Sequence, residues 1–221
     1  MPPVPPRARR LLPVVAVLGA VAVAIAVLAF GRPFLDRVLV RGDSPSAAYL
    51  AFDAARPASA VGASGLTVAF PTEPRRLPDR GPGDGVRAGE SYMAGTTNWY
   101  LAGYVDLECA VQDDAADFAL RTMATTSVDS MAQSAAADSH GVDAQETTTV
   151  AGMRAVHTRF TVAKDGRSGS GDSLWVHDGA RLYTLTALGA HDGDWQAFVS
   201  SAAFAHPAQA DVPPCAAPVG A

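Results

Sequence analysis

An uncharged apolar run near the N-terminus constrains this chain more than any other feature of its sequence. Residues 11–30 contain no charged side chain, and their single proline, Pro13, falls in the first turn of a predicted helix, where its missing N–H costs least. A helix of this length spans about 30 Å, the thickness of a bilayer's hydrocarbon core. No periodic polar face interrupts the run, which argues against a core helix of a soluble domain. The sequence therefore predicts a transmembrane helix over 11–30.

Arginines on both sides of this run bear on its orientation. Arg7, Arg9 and Arg10 lie close together before it, whereas Asp36 dilutes the arginines that follow it. Because positive charge favours the cytoplasmic side of a membrane, we expect residues 1–10 to form a basic cytoplasmic tail. The remainder of the chain is then predicted to lie outside the cytoplasm, as a single-pass protein of the cell membrane.

The alternative to an anchor is a cleaved signal peptide. Residues 24–26 (Ala-Ile-Ala) and 27–29 (Val-Leu-Ala) are acceptable cleavage sites. The apolar region of a signal peptide usually has about 7–15 residues, and this one is longer, which favours the anchor. No cysteine follows the run directly, so a lipid-modified lipoprotein is excluded.

The rest of the chain differs from its basic N-terminus in charge. Residues 42–221 carry 11 basic and 21 acidic side chains, a net charge of −10, and 48% of the whole sequence is hydrophobic. This apolar content is sufficient for one folded core. The acidic balance argues against a nucleic-acid partner, because nucleic-acid-binding domains are basic.

Composition also predicts how the extracytoplasmic part is divided. Residues 31–64 are rich in proline, alanine and small polar side chains and are predicted to form a stalk. Regular alternation begins near Gly65, so we expect the folded domain to cover 65–206. The Pro/Ala-rich residues 207–221 are predicted to form a disordered tail.

Periodicity and turn signals predict an α+β domain, with a mainly antiparallel sheet of about seven strands flanked by two helices. Its elements follow one another through short turns, of which Asp178-Gly179 is the clearest. The predicted strands are 66–70, 87–95, 98–110, 142–150, 153–163, 172–178 and 181–188, the predicted helices are 113–137 and 192–204, and 75–85 and 164–171 are predicted to be an exposed loop and a turn.

Several short motifs resemble those of the PsbP/LpqN-like superfamily. They are residues 65–71 (Gly-Leu-Thr-Val-Ala-Phe-Pro) with Pro74, Gly152 before a strand, residues 181–185 (Arg-Leu-Tyr-Thr-Leu), and Phe198, Ser201 and Phe204 at spacings of three. The resemblance covers about 65–205. It implies an α/β sandwich on the outer side of a membrane, in a bacterial membrane-anchored or lipoprotein-type protein. Such domains bind partners, often without catalysis, and the resemblance supplies no catalytic residues.

The sequence contains no recognisable catalytic or metal-binding pattern. A nucleophile elbow requires Gly-x-Ser-x-Gly, and Ser168 and Ser170 lie in a differently spaced glycine-rich segment. No histidine pair has a spacing diagnostic of zinc, although His157 and His177 are predicted to lie on adjacent strands. We therefore expect no enzyme activity, no metal and no cofactor. The five histidines are predicted to be side chains of strands and turns: His140, His157, His177, His191 and His206.

Two features leave alternatives open. Cys109 and Cys215 could form a disulfide, as an even cysteine count in an exported domain suggests, or could be two unrelated thiols. Four aromatic residues on two predicted neighbouring strands could belong to the core or could line a binding groove, since aromatic residues anchor interfaces. These four residues are Tyr92, Trp99, Tyr100 and Tyr104.

These observations predict a membrane-anchored extracytoplasmic domain that binds another protein of the cell envelope, as an accessory or assembly factor. The alternative is a carrier of a lipid or another apolar small molecule, held in a groove between sheet and helix.

Overall fold

The computed structural model describes residues 49–53, 55–78, 85–95, 98–206 and 211–215. They form an α+β domain, as the alternation of the sequence predicted. One helix packs on the first face of a seven-stranded antiparallel sheet. The second helix and a small three-stranded sheet cover part of the other face.

The predicted basic tail and transmembrane helix (residues 1–30) lie outside the described residues. Where the structure describes the chain, no helix is both long enough and apolar enough to cross a membrane.

Within the described ranges the chain forms ten strands and two helices. In chain order they are β1 (Ser59–Ala60), β2 (Leu66–Val68), β3 (Arg75–Arg76), β4 (Val86–Gly95), β5 (Trp99–Leu107), α1 (Asp113–Ser134), β6 (Ser139–Val150), β7 (Met153–Lys164), β8 (Arg167–Asp178), β9 (Arg181–Leu188), α2 (Asp192–Ser200) and β10 (Ala203–Phe204).

The strand order explains which parts of the sheet are buried. The large sheet runs β3-β4-β5-β9-β8-β7-β6, and the small one runs β1-β2-β10. Every residue of β5 and β9 is buried, because these central strands are covered on both faces. By contrast, β6 is the last strand at its end of the sheet, and none of its residues is fully buried.

The helix α1 packs on one face of the sheet through an apolar stripe. Leu120 and Met123 are fully buried there, in one cluster with Val156 of β7 and Trp175 of β8. Along β7 the alternation predicted from the sequence is confirmed, because Val156, Thr158, Phe160 and Val162 are fully buried whereas Arg159, between them, is exposed.

Glycine-rich turns join the outer strands. Ala151 and Gly152 connect β6 to β7 with φ values of 51° and 79°, the left-handed conformation that a two-residue hairpin favours. Asp165 and Gly166 make an equally short turn between β7 and β8, with φ values of 53° and 75°.

The predicted turn over 164–171 is therefore too long, since β8 begins at Arg167. The Gly/Ser sequence pairs along β7, and Gly171 lies opposite Phe160, whose ring occupies the space that a side chain would fill. The clearest predicted hairpin is present, but Asp178 pairs with Arg181, so its turn residues are Gly179 and Ala180.

The domain begins earlier than the predicted boundary at Gly65. Ser59–Ala60 forms β1 and pairs with β2, and Val61 is fully buried. The predicted stalk (31–64) is thus corrected for its described part, residues 49–53 and 55–64, because these residues belong to the folded domain.

Two further predicted elements are shorter than expected. The predicted loop 75–85 begins with β3, which pairs with Tyr92 and Met93. The predicted helix 192–204 ends at Ser200, because Ala203–Phe204 instead forms β10 and pairs with β2.

Candidate functional site

The four predicted binding aromatics do not share one surface. Trp99 and Tyr100 are successive residues of β5, so they point to opposite faces of the sheet. Trp99 packs on the α1 side, and Tyr100 and Tyr104 pack on the α2 side, where Tyr92 is half-buried. Relative exposures are 0% for Trp99 and Tyr100 and 6% for Tyr104. These three side chains belong to the core and are not available to a partner in this structure.

Aromatic side chains fill the space between β5 and α2. The ring of Tyr100 meets that of Phe198 edge-on, with centroids 5.1 Å apart, and the rings of Phe52 and Phe70 lie 6.1 and 5.8 Å from the same Phe198 ring. Burial raises the pKa of Tyr100 well above its ordinary value, because the phenolate would lose its hydration. Around Tyr100 and Phe198, the space between β5 and α2 is therefore occupied by the protein's own side chains.

Arg181, from the Arg-Leu-Tyr motif, joins the two sheets. Its guanidinium donates to both carboxylate oxygens of Asp106, at 2.5 and 2.8 Å, and to the carbonyl of Ser64 at 2.9 Å. The same guanidinium lies 4.9 Å from the ring centre of Tyr104, and the hydroxyl of Tyr183 also donates to the Ser64 carbonyl. The motif thus fixes the turn before β2 onto the large sheet.

The closing Phe-x-x-Ser-x-x-Phe motif has a comparable role. The Ser201 hydroxyl donates to the Phe198 carbonyl at 2.7 Å and accepts from the Ala69 N–H at 3.1 Å. Phe204 packs edge-on against Tyr183, with centroids 5.1 Å apart. The residues that carry the family resemblance therefore hold layers of the fold together and are structural in this chain.

Cys109 and Cys215 form a disulfide. The backbone beside it pairs as well, since Ala110 donates to Pro213 and accepts from Cys215 at 2.9 and 2.8 Å. Residues 211–215 are thus bound to the domain, which corrects the predicted disordered tail (207–221) for the part that the structure describes.

At the other end of the described chain, Tyr49 binds the start of α2. Its hydroxyl donates to Asp194 and accepts from the backbone N–H of His191, and the Tyr49 and His191 rings stack with centroids 4.0 Å apart. Leu50 makes two backbone hydrogen bonds with the side chain of Asn98, at 3.0 and 2.9 Å. This network fixes where the chain enters the domain.

A cleft of about 230 Å³ lies between α2 and the strands β6, β7 and β8 of the large sheet. On its sheet side, His157 hydrogen-bonds to Asp172 at 2.8 Å and stacks on the Trp195 ring, with centroids 5.8 Å apart. The lining is mixed, with apolar and polar side chains from β6, β7, β8 and α2: Glu146, Thr148, Val150, His157, Leu174, Trp195, Gln196 and Val199.

The cleft was not predicted from the sequence. His157 and His177 lie on adjacent strands as expected, but their side chains have different partners, since His177 bonds to the carbonyl of Val111 at 3.0 Å. In the described residues, no three or more His, Cys, Asp or Glu side chains are grouped to hold a metal ion. One usable signal was the alternation of β7, which put His157 on the face away from α1.

Strand β6 forms the outer rim of the cleft and the open edge of the large sheet. Glu146, Thr148 and Val150 point into the cleft from alternate positions, as the period of a strand requires. Residues 146–149 are all exposed. The cleft and the edge therefore make one continuous surface.

No family model and no curated protein matches the sequence. Among solved structures, the chain is similar to the solution structure of cyanobacterial PsbP (CyanoP) from Synechocystis sp. PCC 6803, with 11% identity, a TM-score of 0.43, and coverage of 74% of this chain and 98% of that one. It is also similar to the crystal structure of PA94 from Pseudomonas aeruginosa, a protein of unknown function, with 16% identity, a TM-score of 0.30, and coverage of 56% and 71%. Both similarities concern the course of the backbone alone.

Proposed function

We propose that this chain is a non-catalytic protein-binding domain, held at the outer side of a cell membrane by residues 11–30 and acting as an accessory or assembly factor of the cell envelope. One observation carries the proposal: among the described residues β6 has no neighbouring strand on its outer side, and residues 146–149 of this edge are all exposed. Folded proteins usually shorten, charge or cover such edges, because unpaired backbone groups attract other strands. An edge left open beside a cleft is suited to binding an extended segment of another protein.

The disulfide supports the proposed location. Disulfides persist in oxidising compartments and are rare in reducing cytosol, so a bond between Cys109 and Cys215 fits a domain outside the cytoplasm. The basic residues before 11–30 favour the same orientation.

The contacts of His157 support a binding role over a catalytic one. Its hydrogen-bond partner is the Asp172 carboxylate, and one face of its ring is stacked on Trp195. In the described ranges it makes no hydrogen bond to a hydroxyl or thiol that it could activate as a nucleophile. The pair therefore serves to position the wall of the cleft.

The charge of the domain supports a protein partner rather than a nucleic acid. Residues 42–221 have a net charge of −10, which repels a phosphate backbone. Protein segments with basic side chains carry a charge complementary to that of this acidic domain.

The test is crosslinking of the tagged full-length protein in intact cells with a reagent that does not enter the cytoplasm, followed by mass spectrometry. The expected result is one reproducible envelope protein, lost when Glu146 and Thr148 are substituted and retained when the exposed Phe118 of α1 is substituted. A stoichiometric lipid or small molecule with no protein partner would contradict the proposal. Absence of labelling by the impermeant reagent would contradict the proposed location.

A further inference from the structure

We infer that the second half of β6 and the adjoining cleft bind an extended segment of a partner protein that carries a basic side chain, and that this segment pairs with β6 as an additional strand. This inference rests on the proposed protein-binding function and specifies the surface and the chemistry of the partner segment.

The hairpin register identifies the backbone groups that are open to a partner. Val150 and Met153 flank a two-residue turn and so form a hydrogen-bonded pair. In an antiparallel ladder such pairs alternate with pairs whose N–H and C=O groups point away from each other. Thr147 and Thr149, opposite Val156 and Arg154, are of the second kind, so their backbone groups point outward from the sheet.

The first half of β6 is closed by other contacts. The register shifts between Val142 and Ala144, which makes Asp143 a bulge, and its carboxylate accepts from the Thr161 hydroxyl at 2.7 Å. Bulges disrupt the ladder and discourage further pairing. The next outward carbonyl, that of Gln145, accepts from Arg121 of α1 at 3.0 Å. Arg121 also donates to the hydroxyl of Thr147 at 3.0 Å. Within the described ranges, the outward backbone groups that have no partner on β6 are therefore those of Thr147 and Thr149.

The cleft lies directly beside this part of β6. Thr148 and Val150 alternate along β6 with Thr147 and Thr149, whose backbone groups point outward. The side chains of Thr148 and Val150 line the cleft, and its floor includes the buried side chains of Leu174 and Trp195. Alternate side chains of an added strand project onto the same face of the sheet. One of them enters the cleft, whose volume of about 230 Å³ suits a side chain rather than a large ligand.

Charge determines which side chain fits. The cleft wall carries Glu146, whose carboxylate lies 3.6 Å from Arg159, and these side chains are 67% and 60% exposed. An ion pair that is this exposed contributes about 0–1 kcal/mol to stability, so Glu146 remains able to bind another cation. Asp172 is already bonded to His157, and β6 itself contains no Lys or Arg. A basic side chain is thus favoured.

The same charge argues against a second copy of this chain as the occupant. Symmetric pairing of two β6 strands would bring two edges that each carry Asp143 and Glu146 close together. Like charges across strands destabilise pairing. Self-association is therefore a distinct outcome, which sedimentation of the full-length protein detects.

Two pairs of variants test the backbone pairing of β6 and the charge of the cleft wall separately. Thr149→Pro removes an outward N–H and leaves the bonds between β6 and β7 intact, since proline is tolerated where the N–H of an edge strand faces solvent. Thr149→Val has nearly the same shape as threonine, keeps that N–H and serves as the matched control. Glu146→Lys reverses the charge of the cleft wall without altering the backbone, with Glu146→Gln as its intermediate.

The experiment is selection of a displayed library of 12-residue peptides on the detergent-solubilised full-length protein. We expect enriched peptides to carry a Lys or Arg, to bind Thr149→Pro about tenfold more weakly and to bind Thr149→Val normally. Glu146→Lys is expected to weaken the binding of the same peptides by a similar factor, and Glu146→Gln by less. This second variant pair remains informative even where the domain does not tolerate proline at position 149.

Enriched peptides that bind wild type and both Thr149→Pro and Glu146→Lys equally would overturn this inference while leaving the proposed protein-binding function intact. Recovery of no peptide above background, or dimers of the full-length protein that Thr149→Pro dissociates, would also overturn it. If the in-cell crosslinking finds no protein partner at all, the proposed function itself fails.

Discussion

Arg181 stabilises the fold through several contacts at once. It is 7% exposed, and its partner Asp106 is 8% exposed, so both charges depend on each other for solvation. Arg181 also donates to the Ser64 carbonyl, on the turn before β2, at 2.9 Å. A planar guanidinium with several donors meets these demands together, which a lysine could not do.

Substitution Arg181→Met is expected to lower the free energy of unfolding by about 3–5 kcal/mol, because the buried carboxylate of Asp106 loses both of its close hydrogen bonds and keeps the half-exposed Arg87, 3.9 Å away. Urea unfolding followed by tryptophan fluorescence measures the change. Arg159→Met is the control, since Arg159 pairs with Glu146 on the surface and its loss should cost about 1 kcal/mol or less. Equal effects of the two substitutions would show that the buried pair contributes little.

The raised pKa of Tyr100 predicts a loss of stability at alkaline pH. Its pKa is raised above the ordinary value of 10.0, first by burial and then by the nearby charges of Tyr49 and Asp194. A group whose pKa is higher in the folded state contributes full stability below its unfolded pKa and loses it as the pH rises through the folded pKa. The urea midpoint should therefore decline above about pH 10.

The matched variant is Tyr100→Phe, which removes the titrating group and keeps the ring that packs on Phe198. It is expected to make the decline above pH 10 shallower, although Tyr49, Tyr104 and Tyr183, whose pKa values are also raised, continue to contribute. An unchanged slope in Tyr100→Phe would assign the alkaline loss to other residues.

At the scale of elements, local patterns predicted most of the large sheet. The alternation in β7 and the hairpin of β8 and β9 depend on residues near in sequence, so both could be predicted directly, although the turn of that hairpin lies one residue later than expected. The start of β8 was missed because glycine and serine are typical of turns. A glycine is needed at position 171 of this strand because the Phe160 ring and the backbone oxygen of Ala187, both on neighbouring strands, occupy the space of a side chain.

Gly171→Ala is expected to destabilise the domain by about 1–3 kcal/mol through overpacking. A methyl group there would lie 2.4 Å from Cζ of Phe160 and 2.8 Å from the backbone oxygen of Ala187. Gly141→Ala, on β6, is the control, because no atom lies within 4 Å of the position its methyl group would occupy. Thermal melts of both variants test this, and a Gly171→Ala protein as stable as wild type would contradict the packing at Phe160.

The candidate site was less predictable than the fold. Aromatic content pointed to Trp99 and Tyr100, but whether a strand is central or at an edge depends on strand order, which the sequence does not state. The threonines of β6 predict that this segment is a strand, but they do not predict that the strand lies at the edge of the sheet. The partnership of His157 with Asp172 and Trp195 joins three elements and has no local signature.

For the whole molecule, both ends of the described chain are fixed to the domain. Tyr49 and Leu50 bind α2 and Asn98 at the N-terminal end, and the disulfide holds Cys215 at the other. The early entry of the chain shortens the connection to the predicted transmembrane helix to residues 31–48, a reach of about 60 Å when fully extended. With residues 11–30 in a membrane, Tyr49 would lie within that distance of it.

Reduction of the disulfide is expected to lower the free energy of unfolding by about 2–5 kcal/mol, because the bond closes a loop between residues 106 apart in sequence. Urea unfolding with and without a reductant measures this difference. The double variant Cys109→Ser/Cys215→Ser should match the reduced protein and should not respond to reductant. A wild-type protein unaffected by the reductant would show that the bond contributes nothing to stability.

The most direct test of the account is site-specific photo-crosslinking in cells. A photoreactive amino acid replaces the exposed Thr148 in the cleft wall in one protein and the 41% exposed Phe118 on α1 in another. We expect position 148, and not position 118, to crosslink to one envelope protein, through a peptide that contains a Lys or Arg. Crosslinking of the partner at 118 alone, or at neither position, would contradict a binding surface at β6.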